Sequence, residues 1–171
     1  MYNNVKQIGL ALRLWADDNG DKFPMAVPIS SGGTLEHTNG ADTYRHFQVM
    51  SNELSSTKIV NCPNDDRLSA SDFDSLSNSS ISYFVNLDAQ FDSEFQRLVS
   101  GDRNITGATQ PINGILALKP GDSAGWTTAI HHRAGNVLMA DGSAQGTTGA
   151  DLTKILKASG APTNTWRISL P

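Results

Sequence analysis

The sequence has little cysteine, little positive charge and no long apolar run. Cys62 is the single cysteine among 171 residues, which excludes an internal disulfide, and no second Cys or His at metal-ligand spacing accompanies it. The 13 Lys and Arg residues are fewer than the 17 Asp and Glu residues and form no cluster, which argues against nucleic-acid binding. No apolar run reaches about 18 residues. We therefore expect this part of the protein to be soluble.

Enzyme motifs are lacking as well. The sequence contains no G-x-S-x-G nucleophile elbow, no H-E-x-x-H pair and no Gly-rich phosphate loop after a strand. Cys62 lies between Asn61 and Pro63, which supply no base or positive charge to activate its thiol. A small buried side chain is the preferred interpretation of Cys62, and we predict that the protein is not an enzyme.

His131 and Asp141 are the one pair that we consider for acid/base chemistry, since they could meet across a hairpin. Adjacent residues of a strand point to opposite faces, so His131 and His132 are not expected to bind one metal. A His131 that fixes the hairpin against the sheet is the preferred interpretation, and a small hydrolase is the alternative.

Acidic loops offer two candidate calcium sites. Residues 17–21 read DDNGD, but they lack the roughly twelve-residue spacing and closing Glu of an EF-hand, so a helix terminator is preferred. The second group consists of Asp65, Asp66, Asp72 and Asp74. Carboxylates exposed to solvent on a surface loop explain this group equally well. We expect no cofactor and leave calcium open as the alternative.

The N-terminal residues have a strong helical period. The apolar stripe that is predicted to pack on the protein's own sheet consists of Val5, Ile8, Leu12 and Trp15. Leu10 and Leu14 add more apolar surface than one core contact needs, which predicts a second partner for the helix. The first turn lacks a good N-cap and places Lys6 near the positive end of the helix dipole. We therefore expect the native helix to continue upstream of Met1, with a frayed native terminus as the alternative.

Polar loops and short apolar segments make up the middle of the chain. A short second helix is predicted over 43–54 and a brief strand over 58–62. Residues 91–101 are predicted as a helical turn or a connection. Short apolar runs bounded by turn residues predict antiparallel strands over 81–148, and Asp141-Gly142 is predicted as a type I′ hairpin turn.

The sequence therefore predicts an α+β fold, in which a long N-terminal helix packs on one face of a roughly four-stranded antiparallel sheet. Long loops and a short C-terminal helix that ends at Gly160 complete it. We predict one globular domain over 1–171, divided into a truncated N-terminal helix (1–20), a helix-loop segment (21–80), the sheet (81–148), and a C-terminal helix and tail (149–171).

Four motifs occur in a particular order along the chain. They are NNVKQIGLALRLWADDNGDKFP from Asn3 to Pro24, then Cys62-Pro63-Asn64-Asp65, then Ser82-Tyr83-Phe84-Val85-Asn86, and finally His131, nine further residues and Asp141-Gly142. This combination resembles the type IV pilin-like proteins, especially the type II secretion pseudopilins and proteins with a prepilin-type processing motif. GDRNI at 101–105 and GWTTAIHHRAGN at 125–136 are similar to that group too. The resemblance covers most of the chain.

The resemblance implies a structural subunit of a filament that takes part in protein transport. The missing upstream half of the helix would anchor the protein in the inner membrane, with the globular domain in the periplasm. A prepilin peptidase would remove the leader of the precursor, and the new first residue would be methylated. Partners would be copies of the protein, related pilin-like subunits and the secretion machinery.

The resemblance also suggests roles for particular residues. The buried stripe would hold the sheet, whereas Leu10 and Leu14 would face the next subunit of the filament. His131, Asp141 and Gly142 would be a family signature. The alternative function is a soluble extracytoplasmic binding module that recognises a polysaccharide or a protein through its loops.

Overall fold

An antiparallel sheet of six strands lies at the centre of the protein, in a computed structural model that describes residues 2–91, 97–159 and 165–171. Its strands are β1 Tyr83–Asn86, β2 Leu98–Asp102, β4 Ile115–Leu118, β6 Ala134–Met139, β7 Ala144–Thr148 and β8 Trp166–Ser169. They lie in the order β4-β8-β1-β2-β6-β7, and a separate two-stranded sheet pairs β3 Ile105–Thr106 with β5 Gly125–Trp126.

The predicted four-stranded sheet is wrong. The structure is α+β with an N-terminal helix, but six strands form the main sheet and two more form the second one. The sheet also extends beyond 81–148, because residues predicted as a tail form β8. In β8, Ile168 pairs with Asn86 of β1 on one side and with Leu116 of β4 on the other. A strand of four residues carries too little period to be recognised in the sequence.

Helix α1 (Tyr2–Asp18) packs on one face of the sheet, against β6 and β7. Gly9 allows this close approach, because a Cβ there would lie 2.6 Å from Leu138 Cδ1. The helix ends in a turn in which the amides of Asn19 and Asp21 both donate to Ala16 O at 2.9 Å. Within the three described ranges, no helix has both the length and the hydropathy that a bilayer crossing requires.

The opposite face of the sheet is also covered, which the sequence did not predict. Helix α4 (Gly149–Ala158) buries Leu152 and Leu156 completely, and they join Trp126 of the small sheet in a second core. Thr148 and Asp151 form a capping box at the start of α4. Because both faces are packed, every residue of β1 and β2 is buried. The predicted stop at Gly160 lies outside the described residues.

Short helical turns replace the predicted elements between α1 and the sheet. The second helix predicted over 43–54 consists of two, α2 (Thr43–Gln48) and α3 (Ser51–Leu54). The strand predicted over 58–62 is wrong, since Thr57–Val60 is a 3-10 helix whose start is capped by Ser56. In the connection predicted over 91–101, residues 92–96 lie outside the described residues and Leu98 already belongs to β2.

The turn between β6 and β7 differs from the predicted type I′ turn. Among its residues only Gly142 has a positive φ, of 83°. Gly142 N donates to Met139 O, and Met139 N donates to Ser143 O, both at 2.9 Å. This longer loop forms its backbone hydrogen bonds with one left-handed residue, whereas a type I′ turn needs two. Asp141 therefore keeps an ordinary backbone conformation.

Candidate functional site

Three potential metal ligands from distant parts of the chain meet at one end of the central strands. The ligand atoms of Cys62, Asp102 and His131 all lie within 4.8 Å of one another. Cys62 and Asp102 are fully buried, and the His131 side chain is 17% exposed. Cys62 and His131 lie 69 residues apart in the sequence, and the fold brings them together.

Each residue is placed by a different element. Cys62 follows the 3-10 helix Thr57–Val60, and its backbone N donates to Ser82 Oγ at 2.9 Å. Asp102 is the last residue of β2, and His131 lies in the loop between β5 and β6. Three of the quoted motifs, CPND, SYFVN and GDRNI, thus contribute to one cluster together with the histidine.

The loop that carries His131 has an unusual backbone. His131, His132 and Arg133 have consecutive positive φ values of 53°, 50° and 67°, a conformation that costs roughly 1–2 kcal/mol per residue outside glycine. Neighbouring contacts hold it: Asn104 Nδ2 donates to Ile130 O at 2.8 Å and to Thr127 O at 3.0 Å. The two histidines therefore lie in a turn, and the prediction that they occupy a strand is wrong.

The hydrogen-bond geometry at His131 does not match a catalytic triad. Its Nε2 lies 3.5 Å from Cys62 Sγ and 3.6 Å from Asp102 Oδ2. In a triad the nucleophile and the acid contact different ring nitrogens, because one nitrogen takes the proton of the nucleophile while the N–H of the other donates to the acid, which orients the ring. Here both groups approach the same nitrogen, and the other nitrogen, Nδ1, lies 3.4 Å from Asn64 Nδ2. The arrangement is convergent, as in a cation site.

Asp102 is an incompletely satisfied buried acid. Its Oδ2 accepts hydrogen bonds from Asn136 N at 2.6 Å and from Asn136 Nδ2 at 2.9 Å. Its Oδ1 is buried and has no hydrogen-bond partner among the described residues. Burial raises the pKa of Asp102, and the hydrogen bonds from Asn136 and the charge of His131 oppose that shift only in part.

A partly buried ion pair beside the cluster joins the Cys62 segment to the sheet. Arg103 donates from Nε and Nη2 to the two oxygens of Asp65, at 2.7 and 2.5 Å. The Asp65 side chain is fully buried, whereas that of Asp66, which also contacts Arg103, is 90% exposed. Burial alone would raise the pKa of Asp65, but the Arg103 hydrogen bonds outweigh it and hold that pKa below its ordinary value.

A cleft of 440 Å³ opens beside His131. Its walls come from α1, the Asn64 loop, β6, β7 and the start of α4. The polar side chains that line it include Tyr2, Asn64, Asn136, Thr147 and Asp151. The cleft connects the buried cluster with solvent through His131.

The structure separates the pair that was considered for catalysis. His131 precedes β6 and Asp141 follows it, so the two lie at opposite ends of that strand. Asp141 Oδ1 accepts from Ser143 N at 2.8 Å, and the acid that approaches His131 is Asp102 instead. The His131–Asp141 acid/base pair that the sequence left open as an alternative is therefore not formed. Gly142 packs beside Arg13 of α1.

The predicted helix contacts divide into two groups. The four residues of the predicted inner stripe are at most 5% exposed: Val5, Ile8, Leu12 and Trp15. Leu10 is 53% exposed and Leu14 is 45% exposed.

The candidate calcium ligands do not form a cluster. Asp65 is paired with Arg103, and Asp72 Oδ1 accepts from Ser75 N at 2.8 Å. Within the described ranges, Cys62, Asp102 and His131 are the only group of three His, Cys, Asp or Glu side chains close enough to hold an ion. Sequence reasoning missed Asp102 and Asn136. The GDRNI motif was noted, but nothing local to it indicated that its Asp faces a histidine 29 residues later.

No protein-family model, curated protein or solved structure matches this chain. The resemblance to pilin-like proteins consequently depends on the motifs in the sequence alone.

Proposed function

We propose that this protein is a structural, non-catalytic subunit of a type IV pilin-like filament, most similar to the type II secretion pseudopilins. The observation that carries the proposal is the two-sided apolar surface of α1. A helix that only closed the protein's own core would need one apolar side.

The inner side of α1 is buried in the core of the domain. Val5 and Ile8 are 0% exposed and belong to the same core as Val99 of β2 and Leu138 of β6. Burying side chains of this size contributes roughly 1.5–3 kcal/mol each. This side therefore holds the helix on the sheet.

The outer side of α1 presents a regular row of side chains. Tyr2, Lys6, Leu10 and Leu14 follow at four-residue intervals, and Lys6 Nζ lies 4.6 Å from the centre of the Tyr2 ring. Rows at this spacing form the ridge that packs into the groove of a second helix. Tyr2 is 44% exposed, so three large apolar or aromatic side chains of this row are accessible to a neighbour.

In the proposed assembly, this ridge contacts the helix of an adjacent subunit. The remaining parts of the proposal come from the resemblance: an upstream helical segment in the inner membrane, processing by a prepilin peptidase, methylation of the new first residue, and a domain in the periplasm. Copies of this protein, related subunits and the secretion machinery are the expected partners. No step requires catalysis by this chain.

Site-specific photo-crosslinking in the native host tests the helix contact. A photoreactive amino acid replaces Leu14 in the full-length precursor, and a matched one replaces the exposed Lys157 on α4, on the other face of the sheet. We expect a ladder of covalent oligomers from position 14 and none from position 157. A chain that stays monomeric at position 14 while the wild-type filament assembles would contradict the proposal.

The N-terminus of the native protein, determined by mass spectrometry of isolated membranes, tests the processing step independently. We expect an apolar segment of about 20 residues upstream of Asn3 and a methylated first residue. A conventional signal-peptidase cut close to Met1 would instead favour the soluble extracytoplasmic binding module. The cleft beside His131 is the observation that favours this second candidate, since the amide, hydroxyl and carboxylate groups at its wall can hydrogen-bond to a sugar ligand.

A further inference from the structure

We propose that Cys62, Asp102 and His131 form a zinc-binding site with one coordination position open to the cleft. The proposed filament role does not require this site, so the two proposals are tested independently. Sulfur, imidazole nitrogen and carboxylate oxygen are the three donor types that protein zinc sites use.

The separations between the donor atoms suit a tetrahedral zinc ion. Typical zinc bond lengths place sulfur and nitrogen about 3.6 Å apart, and nitrogen and oxygen about 3.4 Å apart. The corresponding distances here are 3.5 Å from Cys62 Sγ to His131 Nε2, and 3.6 Å from His131 Nε2 to Asp102 Oδ2. All three donor atoms lie within 4.8 Å of one another, so small side-chain rotations suffice to bind one ion.

Charge balance also favours a divalent cation. Buried anions are stable only when they are paired or bound to a metal. Asp102 is fully buried, its one ion pair among the described residues is with His131, and its Oδ1 has no partner there. A Cys62 thiolate and an Asp102 carboxylate together neutralise Zn²⁺, while His131 binds as a neutral ligand. The filled site would carry no net charge.

Neighbouring groups orient all three ligands. Asn136 holds Asp102 Oδ2 through two hydrogen bonds, and Tyr83 hydrogen-bonds to Cys62. Zinc on His131 Nε2 leaves the ring proton on Nδ1, where the Asn64 carboxamide lies 3.4 Å away. Once the amide is turned over, the Asn64 oxygen accepts a hydrogen bond from the Nδ1–H group, which fixes the tautomer that zinc needs.

The open position faces the cleft. His131 is the most exposed of the three ligands, at 17%, and it lines the cleft together with Asn64 and Asn136. An ion can enter from this side, and a water molecule or a ligand in the cleft can occupy the fourth position. Three protein ligands with one open position are the arrangement of accessible zinc sites.

Metal binding by the purified protein tests the site. The metal-depleted chain is dialysed against zinc chloride and its zinc content is measured, and cobalt chloride then replaces zinc as a spectroscopic probe. We expect one zinc ion per chain. Bound cobalt should show a thiolate-to-cobalt charge-transfer band, which only coordination by Cys62, the single cysteine, can produce.

Variants identify the ligands. His131→Asn removes the imidazole and suits the left-handed backbone, because Asn tolerates positive φ. We expect it to weaken zinc binding by more than the roughly 100-fold that loss of a ligand's hydrogen-bonding neighbour can cost. Asp102→Asn should weaken binding similarly, whereas the matched controls His132→Asn and Asp141→Asn should leave it unchanged.

Substoichiometric zinc in the folded wild-type protein would overturn the proposal, and so would a zinc affinity that His131→Asn leaves unaltered. A bound cobalt ion without a thiolate band would also exclude the site as described. Because the wild-type measurements need no substitution, they decide the question even if the Asp102 variant fails to fold. If these measurements exclude zinc binding, the cluster is a hydrogen-bonded Cys-His-Asp group without a metal.

Discussion

At the scale of single residues, buried polar side chains decide which parts of this structure respond to pH. His46 of α2 is 1% exposed, and its Nδ1 lies 2.7 Å from Thr34 Oγ1. Burial, followed by the charge of His37, lowers the pKa of His46 from 6.5 to about 4. The folded protein therefore keeps His46 neutral at pH values where the unfolded chain binds a proton.

We predict that stability falls as the pH is lowered from 6.5 to 4. Between these values the unfolded state binds more protons than the folded state, so the free energy of unfolding decreases with falling pH. The His46 shift corresponds to a loss of about 3 kcal/mol over this range. Urea denaturation at a series of pH values measures it.

His46→Gln should remove most of this pH dependence, although it lowers stability at pH 7 as well. His132→Asn is the matched control, because His132 is exposed. Its loss should leave the dependence of the free energy of unfolding on pH unchanged. An unchanged slope in His46→Gln would show that another group is responsible.

At the scale of secondary-structure elements, the length of a pattern determined what could be predicted. The N-terminal helix has 17 residues and several turns of apolar period, so its existence and its inner stripe could be read from the sequence. Strand β8 and the 3-10 helix Thr57–Val60 have four residues each. Such segments take their conformation from distant partners, as when β8 pairs with β1 and β4, and no local pattern specifies it.

We predict that two substitutions in α1 have very different costs. Ile8→Ala should lower the free energy of unfolding by about 2–5 kcal/mol, because it leaves a cavity at a fully buried position. Leu10→Ala, two residues away but 53% exposed, should change it by less than about 0.5 kcal/mol. Urea denaturation of the two variants measures both, and similar costs would mean that Leu10 contacts the domain.

At the scale of the whole molecule, the candidate site exists only because separate segments meet. Cys62 and Asn64 come from the layer beside α1, Asp102 from the central sheet, and His131 from a loop beyond β5. The sequence contained each motif, but the motifs are tens of residues apart. Such a separation along the chain does not indicate how far apart the side chains lie in the folded protein. Cys62 was consequently rejected as a metal ligand on its own, and its pairing with His131 was not considered from the sequence.

The Arg103–Asp65 pair joins two of these layers, and we predict that breaking it destabilises the protein. Arg103→Met leaves the fully buried Asp65 side chain without its cation. The expected loss is about 2–3 kcal/mol at pH 7, below the roughly 3–5 kcal/mol of a fully buried pair, because Arg103 is still 19% exposed.

A double-mutant cycle with Asp65→Asn separates the pair from its surroundings. The double variant should recover part of the loss, since it no longer buries an unpaired charge. Because the pKa of Asp65 is depressed in the folded state, the contribution of the pair is present above the ordinary Asp pKa and disappears as the pH falls below it. If the losses in free energy of unfolding of the two single variants simply add in the double variant, Arg103 and Asp65 do not stabilise the protein as a pair.

The position of β8 has a consequence for the order in which the protein is made. β4 has β8 as its only strand neighbour in the main sheet of the described residues, and β8 also covers one edge of β1. A ribosome completes residues 115–118 well before residues 166–169, so β4 waits for its partner while the intervening chain is synthesised. During that interval the edge of β1 can pair with other nascent chains. β8, which is translated after both of its neighbours, thus joins the edge strand β4 to the rest of the sheet.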